Sequence, residues 1–466
     1  MDTSKWWEDR MQAALDRRKA KGTLRKLHAT PTDESSKNDN KLLLLDEKEE
    51  PRDTGILQHP VDFASNDYLG LAHDPVQHVL VDKAYQQVAS AMSDGASQLV
   101  PRLGATGSRL LSGDSATFHA LEAHLAVTHN RQAAILCNSG YDANLAVVST
   151  LPCDCIVYDE YAHNSLHMGM RLWQSQNAAN NSSSSSGRKQ TISFRHNSTR
   201  DLQRTLEAIQ TTDKRIDVIV IIESVYSMDG DVAPVKDMLD VAGQFGAQVV
   251  VDEAHGLGIY GIPTANRNAN VAGGTGVLAA ERVESHAALA CSIHTFGKGA
   301  GCHGAVVCGS RVFRDYLVNY GYPLIYSTAL PLHSLVSIRC SYDTMTGTKG
   351  DRLRETVFRL VHMFRENLEP FLQTCHKVHL LSSTSPIQAL MIPGNAACTD
   401  FCQRLFVKSG KRIQLFPIKS PTVEKGQERV RIILHSHNTT YQVDVLVRLI
   451  QSTLRETSFA SGLSKL

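Results

Sequence analysis

The chain of 466 residues has almost no charge excess. Lysine and arginine together number 48 against 47 aspartates and glutamates, a formal net charge of +1. A balanced chain offers no electrostatic footprint for nucleic acid, which excludes it as the main partner. No stretch reaches the ~18 consecutive apolar residues of a membrane span. Aromatics are sparse at 6%, yet 42% of residues are hydrophobic, a globular rather than a disordered composition. The ten cysteines begin at Cys137, and the nearest pairs, Cys153/Cys155 and Cys398/Cys402, match no paired zinc spacing. No secretory signal precedes them, so reduced and mostly buried thiols in an intracellular compartment are expected. His163 and His167 stand four apart, but no HExxH-type acid accompanies them, and no metal is expected. His119, His124, His435 and His437 read as core or surface residues.

The length suits about two to four domains of ~100–200 residues. Residues 1–28 read as an amphipathic helix that Gly22 weakens or ends, with Trp7, Met11, Ala14 and Leu15 on one stripe and Arg17, Arg18 and Lys19 near its end. A mitochondrial presequence is the competing reading, and Glu8, Asp9 and Asp16 argue against it. Residues 29–55 form a polar, charge-dense linker, and residues 174–190 a Ser-rich insert expected to be disordered. From Asp62 to about Ser310, short apolar β-branched runs (AAILC, CIVY, DVIVIIE, AQVVVD, ALACSI, GAVVCG) alternate with helix-like segments. Strands apolar on both faces and separated by helices indicate a large, mainly parallel sheet in an α/β domain, placed at 62–328. The mixed pattern after it predicts a smaller α+β domain over 329–466, with helices at 337–375, 396–409 and 441–455.

In open parallel sheets, ligands sit beyond the C-terminal strand ends. DVIVII ends at Glu223, followed by Ser224, Tyr226 and Ser227; AQVVV ends at Asp252, with His255 three residues on. ALACSIHTFGKGAG delivers Thr295 and Lys298. Lys298 is flanked by Gly297 and Gly299, which permits close ligand approach, and the glycine after it excludes a P-loop. A free lysine is only about one part in a thousand neutral near pH 7, so a nucleophilic role needs a depressed pKa or a standing Schiff base. A surface lysine on a glycine turn is the alternative. Asp252 at a buried strand end needs a cation, and a protonated pyridine nitrogen supplies one. Asn138-Ser139-Gly140-Tyr141 follows AAILC and opens a helix, whose N-terminal N–H groups suit a phosphate.

The order of these segments resembles the α-oxoamine synthases, which are pyridoxal phosphate (PLP) enzymes of fold type I, aspartate aminotransferase-like. The matching stretches include DFASNDYLGLA (62–72), GATGSRLLSGDSATFHALE (104–122), NSGYDANLAVVSTL (138–151), YDEYAHNSL (158–166), ESVYSMDGDVAPV (223–235), VVVDEAHGLGIYG (249–261), HTFGKGAGCHGA (294–305) and YSTALP (326–331). The resemblance implies that Lys298 holds PLP covalently, that Asp252 pairs with its ring nitrogen, and that His255 and Ser227 bond around its phenolic oxygen. It implies that His163 stacks on the ring and that Gly140, Tyr141 and Thr295 contact the phosphate region. Ser327 and Thr328 would reach the phosphate of a neighbouring subunit in a homodimer, and Arg25 and Thr422 match positions expected to touch substrate. Ser224 stands where the family usually has glycine, and the two polar inserts are unusual.

The start of the chain and Pro421-Thr422-Val423 resemble the branch that condenses L-alanine with pimeloyl-CoA, releasing CoA and CO2. Another branch, with a different acyl-CoA or amino acid, is the alternative, and a catalytically silent regulatory partner is a third reading. The sequence ends in Ser464-Lys465-Leu466 after a small and polar SFASG, which reads as a peroxisomal address for an import receptor; a cytoplasmic location is the alternative.

Overall fold

The structure is a computed structural model, and it describes residues 6–21, 24, 57, 59–93, 103–180, 190–210, 216–262 and 273–456. The linker 29–55, Arg25 and the tripeptide 464–466 lie outside the described residues. The chain divides into two compact units. One is residues 66–227 with 231–357, the other residues 1–65 with 228–230 and 358–466.

The first unit is built on a seven-stranded sheet. Its strands are β1 (Ala133–Cys137), β2 (Cys155–Asp159), β3 (Gln190–Phe194), β4 (Val218–Glu223), β5 (Gln248–Asp252), β6 (Leu289–Thr295) and β7 (Ala305–Gly309), in the spatial order β1-β7-β6-β5-β4-β2-β3. All six residues of β4 are buried, as a strand covered on both faces requires. The pairs from β3 to β6 are parallel, whereas β7 runs antiparallel to both β6 and β1. The expected parallel sheet therefore has one reversed strand. The reversal follows from residues 296–304 between β6 and β7, which are too few for the ~12-residue crossover a parallel pair needs. They close as a tight loop instead, with Phe296 N–H on the Gly304 carbonyl (2.9 Å), Cys302 N–H on that of Phe296 (3.0 Å) and Gly301 N–H on that of Lys298 (2.8 Å).

Helices pack on the sheet through apolar residues. Helix α1 (Gly140–Val148) and helix α2 (Asn164–Asn180) join Ile135, Val147, Leu166, Trp173, Ile221, Val250 and Ile293 in one core. The Trp173 indole donates to the Leu151 carbonyl (2.8 Å), which satisfies its buried N–H. Helix α2 corrects the expectation of disorder from residue 174, because it continues through Asn180. Propagating a formed helix adds a hydrogen bond per residue and does not require an apolar face. The remainder of that insert, 181–189, lies outside the described residues. Strand β3 was not among the expected strands.

The first unit extends past residue 328 to Val357. The helix Leu332–Met345 explains the later boundary. Its Tyr342 is fully buried, packs edge-on against Phe296 and bonds His129 Nε2 through its hydroxyl at 2.9 Å. The division falls inside the long helix Thr348–Leu372.

The second unit carries an antiparallel four-stranded sheet of β8 (His379–Leu380), β9 (Ile387–Met391), β10 (Phe416–Ile418) and β11 (Arg429–Ile433), in the order β10-β11-β9-β8. Helices Asn395–Lys408 and Thr440–Arg455 accompany it, the second opened by a capping box between Thr439 and Gln442. Residues 61–65 belong here, with Val61 N–H on the Arg412 carbonyl (2.8 Å) and Ile433 N–H on that of Phe63 (2.8 Å). The N-terminal helix is described over Trp6–Ala20 and ends just before Gly22, and Met11 and Leu15 on its stripe are each 48% exposed. No described helix is long and apolar enough to cross a membrane, and none of the ten cysteines forms a disulfide.

Candidate active site

Because the strands apart from β7 share one direction, their C-terminal ends lie along one edge. That edge collects Glu223 from β4, Asp252 from β5 and Thr295 from β6, with the turn after β1 and the loop after β2. Lys298 and His255 follow β6 and β5 by three residues each. All belong to the first unit.

Lys298 is half-buried, and its Nζ stands 2.9 Å from His255 Nε2. Lysine can only donate in this pair when charged, so His255 accepts at Nε2 and carries its proton on Nδ1. That Nδ1 meets the hydroxyl of the fully buried Tyr68 at 2.5 Å, and the Tyr68 hydroxyl donates on to Asn66 Oδ1 at 3.3 Å. Tyr68 was not a candidate from the sequence. It lies 187 residues from His255, and only its place inside DFASNDYLGLA could have drawn attention to it.

Asp252 is 4% exposed and held at both oxygens: Ala254 N–H reaches Oδ1 (2.9 Å) and Asn144 Nδ2 reaches Oδ2 (2.8 Å). Both donors are neutral. Among the described residues Asp252 makes no ion pair, so a buried carboxylate faces the site without a cation. Its neighbour across the β4–β5 pairing is Glu223, fully buried. Burial, and then the Asp252 charge, push the Glu223 carboxyl well above its usual range, while Lys298 and the His163 N–H oppose the rise. Glu223 accepts that N–H at 2.6 Å.

His163 precedes α2 and its carbonyl accepts the first helical bonds, from Leu166 N–H (2.9 Å) and His167 N–H (3.2 Å). The residue is exposed, which leaves it open to a ligand. Protein packed around part of the imidazole, with the nearby Lys298 and His167, holds its pKa below the ordinary value, against Asp252.

Ser139 caps α1, its hydroxyl oxygen accepting from Asp142 N–H (3.1 Å). Gly140 is the first helical residue, and a Cβ there would meet Thr295 Oγ1 at 2.1 Å. The close approach needs glycine, and it sets a threonine hydroxyl beside free N–H groups of a helix N-terminus. Tyr141 is 44% exposed. Asn138 in the same turn donates through Nδ2 to the Thr328 carbonyl (2.9 Å), which ties the 327–328 segment to this end of the site within one chain. Ser227 is half-buried in the turn closed by the Val225–Val232 bridge. Thr422 sits in an exposed turn of the second unit, its N–H on the Lys419 carbonyl (2.8 Å). Arg25 lies outside the described residues.

Ser224, the departure noted in the sequence, donates to Glu253 Oε2 (2.6 Å). The N–H groups of Leu278 (2.7 Å) and Val277 (3.1 Å) also reach the Glu253 carboxyl. Burial raises the Glu253 pKa to about 7 against those three bonds.

The loop carrying His163 has a second anchor. His196 Nδ1 bonds Asp159 (2.9 Å) and Nε2 bonds Asp231 (2.7 Å). Its ring stacks on Tyr161 (4.4 Å) and meets the edge of Tyr226 (4.4 Å). Burial lowers its pKa, but the two aspartates outweigh that and raise it to about 9.

These residues fit pyridoxal phosphate. The uncompensated buried Asp252 matches a ring N–H, Lys298 an aldehyde, His255 a phenolic oxygen, exposed His163 a ring face, and the Gly140/Thr295 notch a phosphate.

The chain matches the family model "Aminotransferase class I and II" over residues 58–450. It is 36% identical over 414 residues to the 8-amino-7-oxononanoate synthase of Emericella nidulans, covering 85% of this chain and 89% of that one. Among solved structures, serine palmitoyltransferase from S. paucimobilis with bound PLP-myriocin aldimine superposes with a TM-score of 0.69 at 24% identity, over 85% of this chain and 87% of that one. The 8-amino-7-oxononanoate synthase of Francisella tularensis superposes with a TM-score of 0.63 at 22% identity, over 85% and 98%. With a family match across most of its length and a Lys298–His255–Asp252 constellation at the strand ends, the chain belongs to the class I and II aminotransferase family, among the PLP-dependent α-oxoamine synthases of fold type I.

Proposed function

We propose that this enzyme condenses L-alanine with pimeloyl-CoA to give 8-amino-7-oxononanoate, CoA and CO2, a step of biotin biosynthesis. The observation that carries the reading is the 36% identity to the Emericella enzyme along 414 residues. The cofactor would be held by Lys298, Asp252, His255, His163, Ser227, Gly140, Tyr141 and Thr295. Bound PLP supplies an electron sink for negative charge at the amino acid's Cα. Asp252 keeps the ring nitrogen protonated, which deepens that sink. Lys298 Nζ would be the base for the Cα proton, because it lies within reach of the position the amino acid would occupy. His255 would accept from Nζ at Nε2 while Tyr68 holds its Nδ1, which orients the imidazole toward the lysine. His163 covers the face of the site. The Cα then joins the acyl carbon as CoA leaves, carboxylate is lost as CO2, and Cα is reprotonated.

The reading includes a homodimer. A second copy would cover the exposed Leu103, Leu110, Leu111, Tyr322 and Tyr326 and place Ser327 and Thr328 toward the other subunit's phosphate site. Arg25 and Thr422 are the substrate-contact candidates. The reading also places the enzyme in the peroxisome through Ser464-Lys465-Leu466. Deleting Leu466 should leave activity intact and scatter a tagged protein into the cytosol; unchanged import refutes the placement.

The second reading keeps the chemistry with other substrates, and the serine palmitoyltransferase of Sphingomonas wittichii, 25% identical with a TM-score of 0.69, favours it. CoA release by PLP-loaded protein separates the two. L-Alanine, glycine and L-serine are each paired with pimeloyl-, succinyl-, acetyl- and palmitoyl-CoA. Preference for alanine with pimeloyl-CoA is expected. Another preferred pair moves the enzyme to another branch, and no release with any pair supports the silent partner.

A further inference from the structure

A polar residue sits in the apolar face of helix α1. Asn144, in the sequence DANLAVV, is 3% exposed and surrounded by buried Ala143, Ala146, Val147 and Val148. A buried amide is costly unless bonded. Asn144 Nδ2 donates twice, to Asp252 Oδ2 (2.8 Å) and to Ser165 Oγ (2.9 Å) in the first turn of α2. Its Oδ1 has no hydrogen-bond partner among the described residues. The amide cannot be turned over, because Oδ1 would then face the acceptor-only carboxylate of Asp252. The Ser165 hydroxyl therefore receives the Asn144 hydrogen, and its own is free to donate. Its Oγ lies 2.7 Å from His163 Nδ1, and the Ser165 backbone N–H points at the same nitrogen from 3.3 Å.

We propose that Asn144 and Ser165 are positioning residues that fix the tautomer of His163, keeping Nδ1 as an acceptor and the proton on Nε2. The Ser165 backbone N–H is a fixed donor to Nδ1 and its hydroxyl a second, which disfavours a hydrogen there. An imidazolium would need one, so the neutral ring is favoured over the charged one. The groups facing the ring agree with this: Lys298 and His167 disfavour a second positive charge, and only Asp252 favours it. Glu223 holds the backbone N–H of the same residue and so fixes the ring's point of attachment. Nε2 has no protein partner among the described residues. The side chain thus offers the site a neutral N–H donor and is a weaker base than a free imidazole.

The chain of bonds also joins the two residues that would hold opposite parts of the cofactor ring. Asp252 at the ring nitrogen and His163 on the ring face are linked through one amide and one hydroxyl. A change at Asn144 should be felt at both ends, a change at Ser165 at only one.

This inference rests on the cluster being the cofactor pocket, but the tautomer exists without cofactor. The test therefore uses the full-length apoprotein labelled with 15N-histidine, with His163 assigned by comparison with His163→Gln. Wild type should show an unprotonated Nδ1 and a protonated Nε2 across neutral pH, with a pKa below that of free histidine. In Ser165→Ala the neutral form loses a donor, so the pKa should rise by about half to one unit, and the Nδ1–H form should appear. Ser165→Thr keeps the hydroxyl and should restore the wild-type signals. Asn144→Ala should move His163 in the same direction and also weaken PLP binding about fivefold or more, whereas Ser165→Ala should leave PLP affinity within about twofold. A protonated Nδ1 in wild type, or identical His163 signals in wild type and Ser165→Ala, overturns the proposal. Should Ser165→Ala fail to fold, the wild-type tautomer alone decides. None of these outcomes depends on which acyl-CoA is used.

Discussion

Raising the pH should strip a specific increment of stability from the first unit through His196. Its pKa is raised from 6.5 to about 9 by Asp159 and Asp231, against burial. A folded-state pKa above the unfolded one means the native state binds the proton more tightly. The stabilisation is complete below the unfolded value and disappears as pH climbs through the folded one. A difference of roughly 2.5 units is worth about 3 kcal/mol in full, and about 2.5 kcal/mol of it is lost between about pH 7 and pH 10. Other groups titrate in that window, so the measurement is a difference of differences. Unfolding free energies of wild type and His196→Gln are obtained by urea titration at several pH values. The variant keeps hydrogen-bonding capacity and has no charge to lose. At pH 7 it should be the weaker protein, because Asp159, with a fully buried side chain, is left without its cation. The gap should close by about 2.5 kcal/mol on going to about pH 10. Parallel profiles, or a His196 that titrates near 6.5 by NMR, would refute the reasoning.

Lys298→Ala should abolish turnover while PLP still binds without covalent attachment, visible as loss of the lysine-linked absorbance; turnover at the wild-type level sinks the site assignment. Gly140→Ala places a methyl 2.1 Å from Thr295 Oγ1, so the Thr295 side chain or the elements that carry the two residues must shift. PLP affinity in that variant should fall at least tenfold, and unchanged affinity means the notch is not part of the cofactor site. Ser224→Ala removes one of three donors to a buried carboxyl and should cost about 1–3 kcal/mol by chemical denaturation, with no loss if Glu253 is protonated and served elsewhere.

The apolar strands were legible because both faces are buried, as in VIVIIE, where every residue is covered. Strand β3 escaped because it lies at the sheet edge, and QTISF has only Phe194 buried. The reversal of β7 was readable from the short connection before it, and the apolar pattern alone could not show it. Lys298, Asp252 and His255 stood out because each lies at or just beyond a strand end. Tyr68, Asn144 and Ser165 did not, because each earns its place through a partner distant in sequence. Asn144 offered one hint, a lone amide among apolar residues in a helix. The boundary near residue 328 followed a change of pattern, whereas the division follows where Tyr342 and its helix are buried.

The reversed strand has a consequence for how this chain can diverge. Crossover connections run over the surface and absorb added length at little cost. This chain has used that freedom, since its Ser-rich stretch falls between α2 and β3. The β6–β7 connection has no such slack. Its ends are paired residue by residue, Thr295 with Ala305, and its interior is closed by the Phe296–Gly304 and Lys298–Gly301 bonds. One inserted residue there would carry Lys298 out of reach of His255 or flip the register of β7. Length variation among homologues should therefore stop at this hairpin, and a library of single-residue insertions should find it the least tolerant connection in the first unit.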